Sequence, residues 1–380
     1  MRRTAIPDTE LRPSVICFGT AYLGSAVERE TAFRLLDAYL DAGGNFIDTA
    51  HNYADWLPGE RSRSEKLIGE WLASRRARSR FVLATKGGHP ELGSVHVPRM
   101  TRADILADLD ASLANLRTDT IDLYWLHRDD EGTPVETIID LLNDQQRAGK
   151  IRTFACSNWR TARIEAAQAY AANSGQRGFV ANQMLWNAAR MDPCGLSDAG
   201  LSLMDREMWD LHRATGLVAV PYTSQASGLF NRMALPPHRR IRVPSDVKGA
   251  FARGVIAPAK RAMGLAPRRP PAYPRAANRA RFRCIKEIAD GNGYTITQVV
   301  LGYLLSQPFV TVPIVGCRTE AQLEDSLAAA DVRLTPAQLE AIDDAHETCA
   351  GLWPAICYAD WIDAQGYLPC PATVTQLLQV

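Results

Sequence analysis

The sequence predicts a single (β/α)8 barrel, and three observations carry that expectation. Eight short apolar runs alternate with longer amphipathic stretches along the 380-residue chain. The first run leads into Gly19-Thr20-Ala21-Tyr22-Leu23-Gly24, which does not fit the GxGxxG turn that an open doubly wound dinucleotide sheet carries there. Three consecutive runs end in ionisable residues, Asp48, Lys86 and His127, and strand C-terminal ends are where a barrel presents its reactive groups.

The strands are expected at 14–18, 45–48, 80–85, 121–126, 152–156, 179–183, 217–221 and 310–315. Between the first two, residues 28–42 form a helix with Phe33, Leu36, Tyr39 and Leu40 on one face. A second helix at 101–116 lines up Ile105, Leu109, Leu113 and Leu116. A third at 134–148 does the same with Ile138, Ile139, Leu141 and Leu142. Thr101 stands at a helix start with Asp104 three residues on, and Gly43 and Gly149 stand where the chain leaves a helix. The whole chain, 1–380, is expected to be one domain with its core at about 10–345. Two segments exceed a minimal barrel: a loop at 223–280 and a tail at 350–380. Within that loop region, Asn231 to Lys286 holds 15 Lys and Arg against the single acid Asp246.

Composition narrows the function classes. Lys and Arg total 43 against 42 Asp and Glu, so the net charge of +1 gives no reason to expect nucleic acid or an anionic membrane as partner. No apolar run approaches 18 residues, which argues against a membrane-spanning helix. The opening Met1-Arg2-Arg3-Thr4 lacks an apolar region behind it, against a secretory signal. The 8 cysteines form no CxxC pair, and Cys17 and Cys156 lie inside apolar runs, as buried thiols of a cytoplasmic protein would. The histidines show no HExxH or paired ligand spacing, so no metal site is expected. There is no GxSxG nucleophile turn either.

A charged residue closing a strand is often a cap or an ion pair. Three in succession, with Tyr53 five residues past Asp48, point to chemistry. A tyrosine is a weak acid with a pKa of about 10. An ammonium beside its oxygen favours the phenolate, and a carboxylate paired with that ammonium keeps it charged and placed. Tyr53, Lys86 and Asp48 in that relation, with His127 donating to an oxygen, suit protonation of a carbonyl oxygen as hydride reaches carbon.

Seven motifs, GGNFIDTAHNY, FVLATKGG, TIDLYWLHRDD, IRTFACSNW, ANQMLWN, VPYTSQASGLF and VPIVGCRTEAQLEDSL, occur in order on these runs. With them the chain resembles the aldo-keto reductase superfamily over about residues 10–345. That resemblance implies a catalytic tetrad of Asp48, Tyr53, Lys86 and His127, with Tyr53 as general acid, and NAD(P)H binding without a Rossmann turn. It also implies that Ser157, Asn158 and Gln183 hold the nicotinamide carboxamide while Tyr222 stacks on the ring. Thr20 and Ala21 would lie near the ring and ribose, and Thr223 through Leu229, including Gln225 and Ser227, would cradle the pyrophosphate. Gly316, Arg318, Gln322 and Asp325 would surround the adenosine end. A guanidinium at Arg318 can hold phosphate oxygens in parallel, which favours NADPH (NADP+) as cofactor.

The chain departs from relatives at three places. Thr223-Ser224-Gln225 stands where Ser-Pro-Leu is common, Asp325-Ser326 stands for Glu-Asn, and Arg128-Asp129-Asp130 follows His127. Arg128 is expected either to meet substrate or to pair with Asp129 or Asp130. Tyr22, Trp56, His127, Arg128 and Trp353 are the expected substrate contacts, for a small carbonyl or alcohol compound such as a polar ring of the keto-sugar kind. A homo-oligomer is left open. The alternative functions are a cofactor-binding accessory subunit on the same fold, and an unrelated barrel hydrolase or lyase using Lys86 and Asp48.

Overall fold

The computed structural model describes residues 1–192, 195–196, 198, 200–236 and 272–345. Eight parallel strands follow in the order β1 (Cys17–Gly19), β2 (Phe46–Asp48), β3 (Val82–Gly87), β4 (Ile121–Leu126), β5 (Ile151–Ser157), β6 (Ala181–Gln183), β7 (Val218–Ala219) and β8 (Ile314–Val315). From β1 to β7 each strand pairs with the next, and β8 pairs with β1. The remaining edge is closed by the segment entering β8. Ala219 N–H donates to Val310 O (3.0 Å), Val312 N–H to Ala219 O (2.8 Å) and Ile314 N–H to Pro221 O (2.9 Å). The sheet thus curls into the expected barrel.

Helices separate the strands: α1 (Arg29–Asp41), α2 (Arg63–Arg75), α3 (Arg102–Leu116), α4 (Val135–Arg147), α5 (Thr161–Asn173) and α6 (Arg206–Thr215). After β7 come α7 (Leu229–Ala234), α8 (Arg279–Asn292) and α9 (Ile296–Leu305). After β8 come α10 (Glu320–Ala328) and α11 (Pro336–Asp344). The caps read from sequence are made. Thr101 Oγ1 accepts from Asp104 N–H (3.2 Å), and Gly43 and Gly149 leave their helices at φ of 80° and 75°, a region other residues seldom adopt. The buried face of α1 is rotated from the expected one. Ala32 and Leu35 join Leu36 and Tyr39 inside, while Phe33 is only half-buried, under the Arg29 guanidinium at 4.4 Å.

Strand alternation decides which residues reach the barrel interior. Phe46, Val82, Ala84, Leu123, Trp125, Ala155, Ala181, Val218 and Val220 pack together inside the barrel. Their neighbours Ile47, Leu83, Tyr124, Leu126 and Phe154 pack outward against the helices. Each large side chain so buried contributes about 1.5–3 kcal/mol. Counting on by two places Asp48, Lys86, His127, Ser157, Gln183 and Tyr222 toward the barrel axis at the C-terminal ends of their strands. Cys17, Cys156 and Cys317 are buried free thiols. Among the described residues no helix is long and apolar enough to cross a membrane. Trp353 and the 350–380 tail lie outside the described residues, as does 237–271 of the 223–280 loop.

Candidate active site

The ends of β2 and β3 meet at one ammonium. Lys86 Nζ donates to Asp48 Oδ2 (2.5 Å), Thr49 O (2.8 Å) and Tyr53 Oη (3.0 Å). Both charged side chains are buried, at 0% and 2% exposure, so neither has water as an alternative partner. Gln183 Nε2 fixes the other carboxylate oxygen, Asp48 Oδ1, at 3.1 Å. Burial opposes the charge on Lys86, but Asp48 and then Tyr53 outweigh it and hold the ammonium protonated above its ordinary range.

Tyr53 reaches this ammonium from a turn closed by its own N–H on Ala50 O (3.1 Å). The sequence-based expectation was a phenol pKa lowered by Lys86. Lys86 does act in that direction, but burial is the larger influence and the pKa is raised overall. Tyr53 therefore keeps its proton at neutral pH, the form a general acid requires. The His127 ring stands edge-on to Tyr53 with centroids 5.9 Å apart. Burial, then His89 and Arg128, push the His127 pKa well down, so its imidazole is neutral.

His89 packs against His127 at 4.7 Å between centroids, a neighbour the sequence reading missed. Its Nδ1 lies 2.6 Å from Pro90 O and so carries the proton, and burial with the nearby Arg128 takes its pKa down to about 4. Its place two residues after Gly87, at the end of the Lys86 strand, was the available signal. Arg128 pairs with neither Asp129 nor Asp130. It binds Asp198 Oδ2 (2.8 Å) and His127 O (2.9 Å), while Asp129 is taken by Arg163 and Asp130 by the Thr133 hydroxyl. Asp198 is 70 residues away in sequence, so no local pattern could have named it.

Around the mouth, Asn158 sits at φ 62° and gathers several partners. Its Nδ2 donates to His127 O (3.2 Å) and Ser157 Oγ (3.0 Å), and its Oδ1 accepts from Tyr222 Oη (2.7 Å) and Ser202 N–H (3.2 Å). Thr20 is buried with its hydroxyl on Asp48 O (3.0 Å), and Ala21 follows it at the half-buried rim. Trp56 is half-buried three residues beyond Tyr53.

Past β7, Thr223, Ala226 and Ser227 all take positive φ (53°, 49° and 52°), making a tight loop before α7. Gln225 Nε2 ties that loop to Ser326 Oγ on α10 (2.9 Å), and Arg232 donates to Ser227 O. The Tyr22 ring lies beside Gly316, at ordinary contact distance (3.6 Å) from where a Cβ would stand, and the Arg318 guanidinium lies 5.6 Å over that ring. Tyr22 therefore sits beside Gly316 and Arg318. Gln322 Oε1 accepts from Arg318 N–H (2.9 Å). Asp325 is engaged by Thr295 Oγ1 (2.6 Å) at the start of α9.

A family model, the aldo/keto reductase family, matches residues 15–347. The chain belongs to that family. As an aldo/keto reductase it is 27% identical over 362 residues to norsolorinic acid reductase B of Dothistroma septosporum, covering 92% of this chain and 82% of the relative. It is 29% identical to the uncharacterized oxidoreductase YrpG of Bacillus subtilis, covering 90% and 95%. A putative aryl-alcohol dehydrogenase, AAD14 of Saccharomyces cerevisiae, is 26% identical over 88% of this chain and 83% of its own. In three dimensions the chain matches a thermostable aldo-keto reductase crystallised with the inhibitor epalrestat, at a TM-score of 0.62 and 20% identity, over 90% of this chain and 99% of that one. That last likeness shows the (β/α)8 fold.

Proposed function

We propose that this aldo/keto reductase reduces aldehyde or ketone carbonyls with NADPH, reversibly, with Tyr53 as the general acid. The observation that carries the reading is the Lys86 ammonium joined at once to Asp48 and to the Tyr53 hydroxyl. When bound, the nicotinamide supplies the hydride. The residues present fit such a cofactor. Ser157 Oγ accepts from Asn158, leaving its own O–H to donate, and Gln183 donates through Nε2, leaving Oε1 to accept. Together they offer the acceptor and donor that a carboxamide needs. Tyr222 would lay its ring along one face, its hydroxyl pinned by Asn158, and Arg318 would meet a 2′-phosphate.

At the reacting carbonyl, Tyr53 Oη gives its proton to the oxygen as negative charge develops there. Lys86 stabilises the phenolate left behind, and Asp48 keeps Lys86 in place. Neutral His127 donates one hydrogen bond to the same oxygen and orients it. In the oxidising direction Tyr53 must first lose its proton, so its raised pKa favours reduction near neutral pH. The name of the yeast relative favours an aryl carbonyl or aryl alcohol as substrate class.

The test is a titration of NADPH and then NADH into the purified protein, followed by tryptophan fluorescence, and a turnover screen over aryl aldehydes. Tight NADPH binding with weak NADH binding and reduction of an aryl aldehyde is the expected result. No binding of either cofactor would sink the proposal.

A further inference from the structure

Behind the tetrad, on the outward side of the same strands, a histidine that the proposed mechanism does not use lies between two buried carboxylates. His51 follows β2 by three residues and precedes Tyr53 by two. Its backbone N–H donates to the carbonyl of Lys86 (2.9 Å), so it stands on the segment that links the two ends of the tetrad. Its side chain, 21% exposed, places Nδ1 3.7 Å from Glu65 Oε2 on α2 and Nε2 3.9 Å from Asp108 Oδ1 on α3.

Both carboxylates are anchored independently of it. Glu65 accepts from Thr85 Oγ1 (2.5 Å) and Asn115 Nδ2 (3.0 Å), and Asp108 from Gly88 N–H (2.9 Å) and Arg99 Nη2 (2.7 Å). A neutral imidazole has one N–H and can serve only one of them, whereas an imidazolium has two and can serve both. We propose that His51 is a positioning residue for Tyr53: as an imidazolium it ties the Tyr53 turn to α2 and α3 through Glu65 and Asp108, and losing its proton loosens that turn. The inference rests on Tyr53 being the general acid.

The charged groups around His51 among the described residues favour this. Burial works against the imidazolium, but Glu65 first, then Asp108 and Asp55, outweigh it and raise the pKa above the ordinary 6.5. Asp55, on the same turn, is paired with Arg61 (3.2 Å), and Arg99 partly offsets Asp108 (2.7 Å). Lys86 offers His51 its carbonyl while its ammonium is turned to Asp48. Ser62 Oγ, at the start of α2, lies 3.5 Å from Nδ1 as a neutral neighbour. A raised histidine pKa means the tie is complete below the unfolded value and is lost as pH rises through the folded one.

Two measurements on the full-length protein test this. The His51 imidazole is titrated by NMR in the wild type, and the Tyr53 ring signals are followed over the same pH range. We expect His51 to titrate above 6.5 and the Tyr53 signals to shift with the same midpoint. Carbonyl reduction by His51→Gln is then compared with wild type across that range, with NADPH affinity measured in parallel. The expected result is a kcat lower by roughly tenfold at the acidic end, with KM and NADPH affinity unchanged and the pH dependence flattened. A His51 pKa at or below 6.5, Tyr53 signals indifferent to it, or a wild-type pH profile in His51→Gln would overturn the proposal. Wild-type protein with no carbonyl turnover would instead count against the functional reading, and the NMR titration would still decide the role of His51.

Discussion

Replacing Lys86 by methionine probes the site at its centre. The ammonium makes three contacts, to Asp48, Thr49 and Tyr53, and methionine keeps the volume but makes none of them. The main consequence is an Asp48 carboxylate left without its cation in a wholly buried position, with Gln183 still donating to it. Breaking a buried pair from one side costs about 3–5 kcal/mol. That is a large part of the roughly 5–15 kcal/mol that holds an ordinary domain together. Asp48 is already pushed above the usual carboxylate range by burial, against the pull of Lys86, and without Lys86 it rises further. A raised carboxyl takes up its proton as pH falls, so the deficit of the variant should shrink toward acid pH. Adding Asp48→Asn removes the orphaned charge and should restore about 2 kcal/mol. Urea unfolding followed by tryptophan fluorescence, on the wild type, both single variants and the double, gives the four corners of the cycle. A single-variant cost below about 1 kcal/mol, or additive losses in the double, would show that the buried Asp48 charge does not depend on Lys86.

Three further changes test separate parts of the molecule. Arg318→Ala should weaken NADPH by about tenfold or more while leaving NADH near wild type, since a charge-assisted bond is worth about 1.5–3 kcal/mol, and equal losses in the two titrations would remove Arg318 from the 2′-phosphate. His212 donates Nδ1–H to Leu217 O (2.7 Å) and is wholly buried, with a pKa that burial takes down to about 4. Because the unfolded chain takes up this proton first, stability should fall as pH drops below 6.5, by about 3 kcal/mol near pH 4. His212→Gln should flatten that slope in urea unfolding at a series of pH values. Gly69 lets α2 approach α3 so closely that an added Cβ would lie 2.2 Å from Asn115 O. Gly69→Ala should cost about 1–3 kcal/mol and lower the Tm accordingly, and an unchanged Tm in calorimetry would show that the helices can part freely.

Much of this was legible in the residues. The strand at Ile121–Leu126 begins and ends where its apolar run does, because polar Thr120 and His127 bound it. The sequence-based strands at 217–221 and 310–315 shorten to two residues each, since Pro221 and Pro313 carry no N–H for the ladder. Their flanks still make the hydrogen bonds that close the barrel. Strand alternation alone carries Asp48, Lys86 and His127 to the axis, so the convergence on Lys86 could be anticipated. The net direction of the Tyr53 pKa could not, because it depends on how completely the folded chain excludes water. Nor could the Arg128–Asp198 pair or the seat of His51 between Glu65 and Asp108, which bring together residues from separate elements.

Tyr53 is the proposed proton donor in a cofactor-dependent reduction, and that role hangs on a single oxygen atom. Tyr53→Phe removes that oxygen and leaves the ring against His127. NADPH affinity, read by tryptophan fluorescence, should stay near wild type while carbonyl reduction falls by about a hundredfold or more. Undiminished reduction in Tyr53→Phe, with NADPH still bound, would mean that the proton comes from another group.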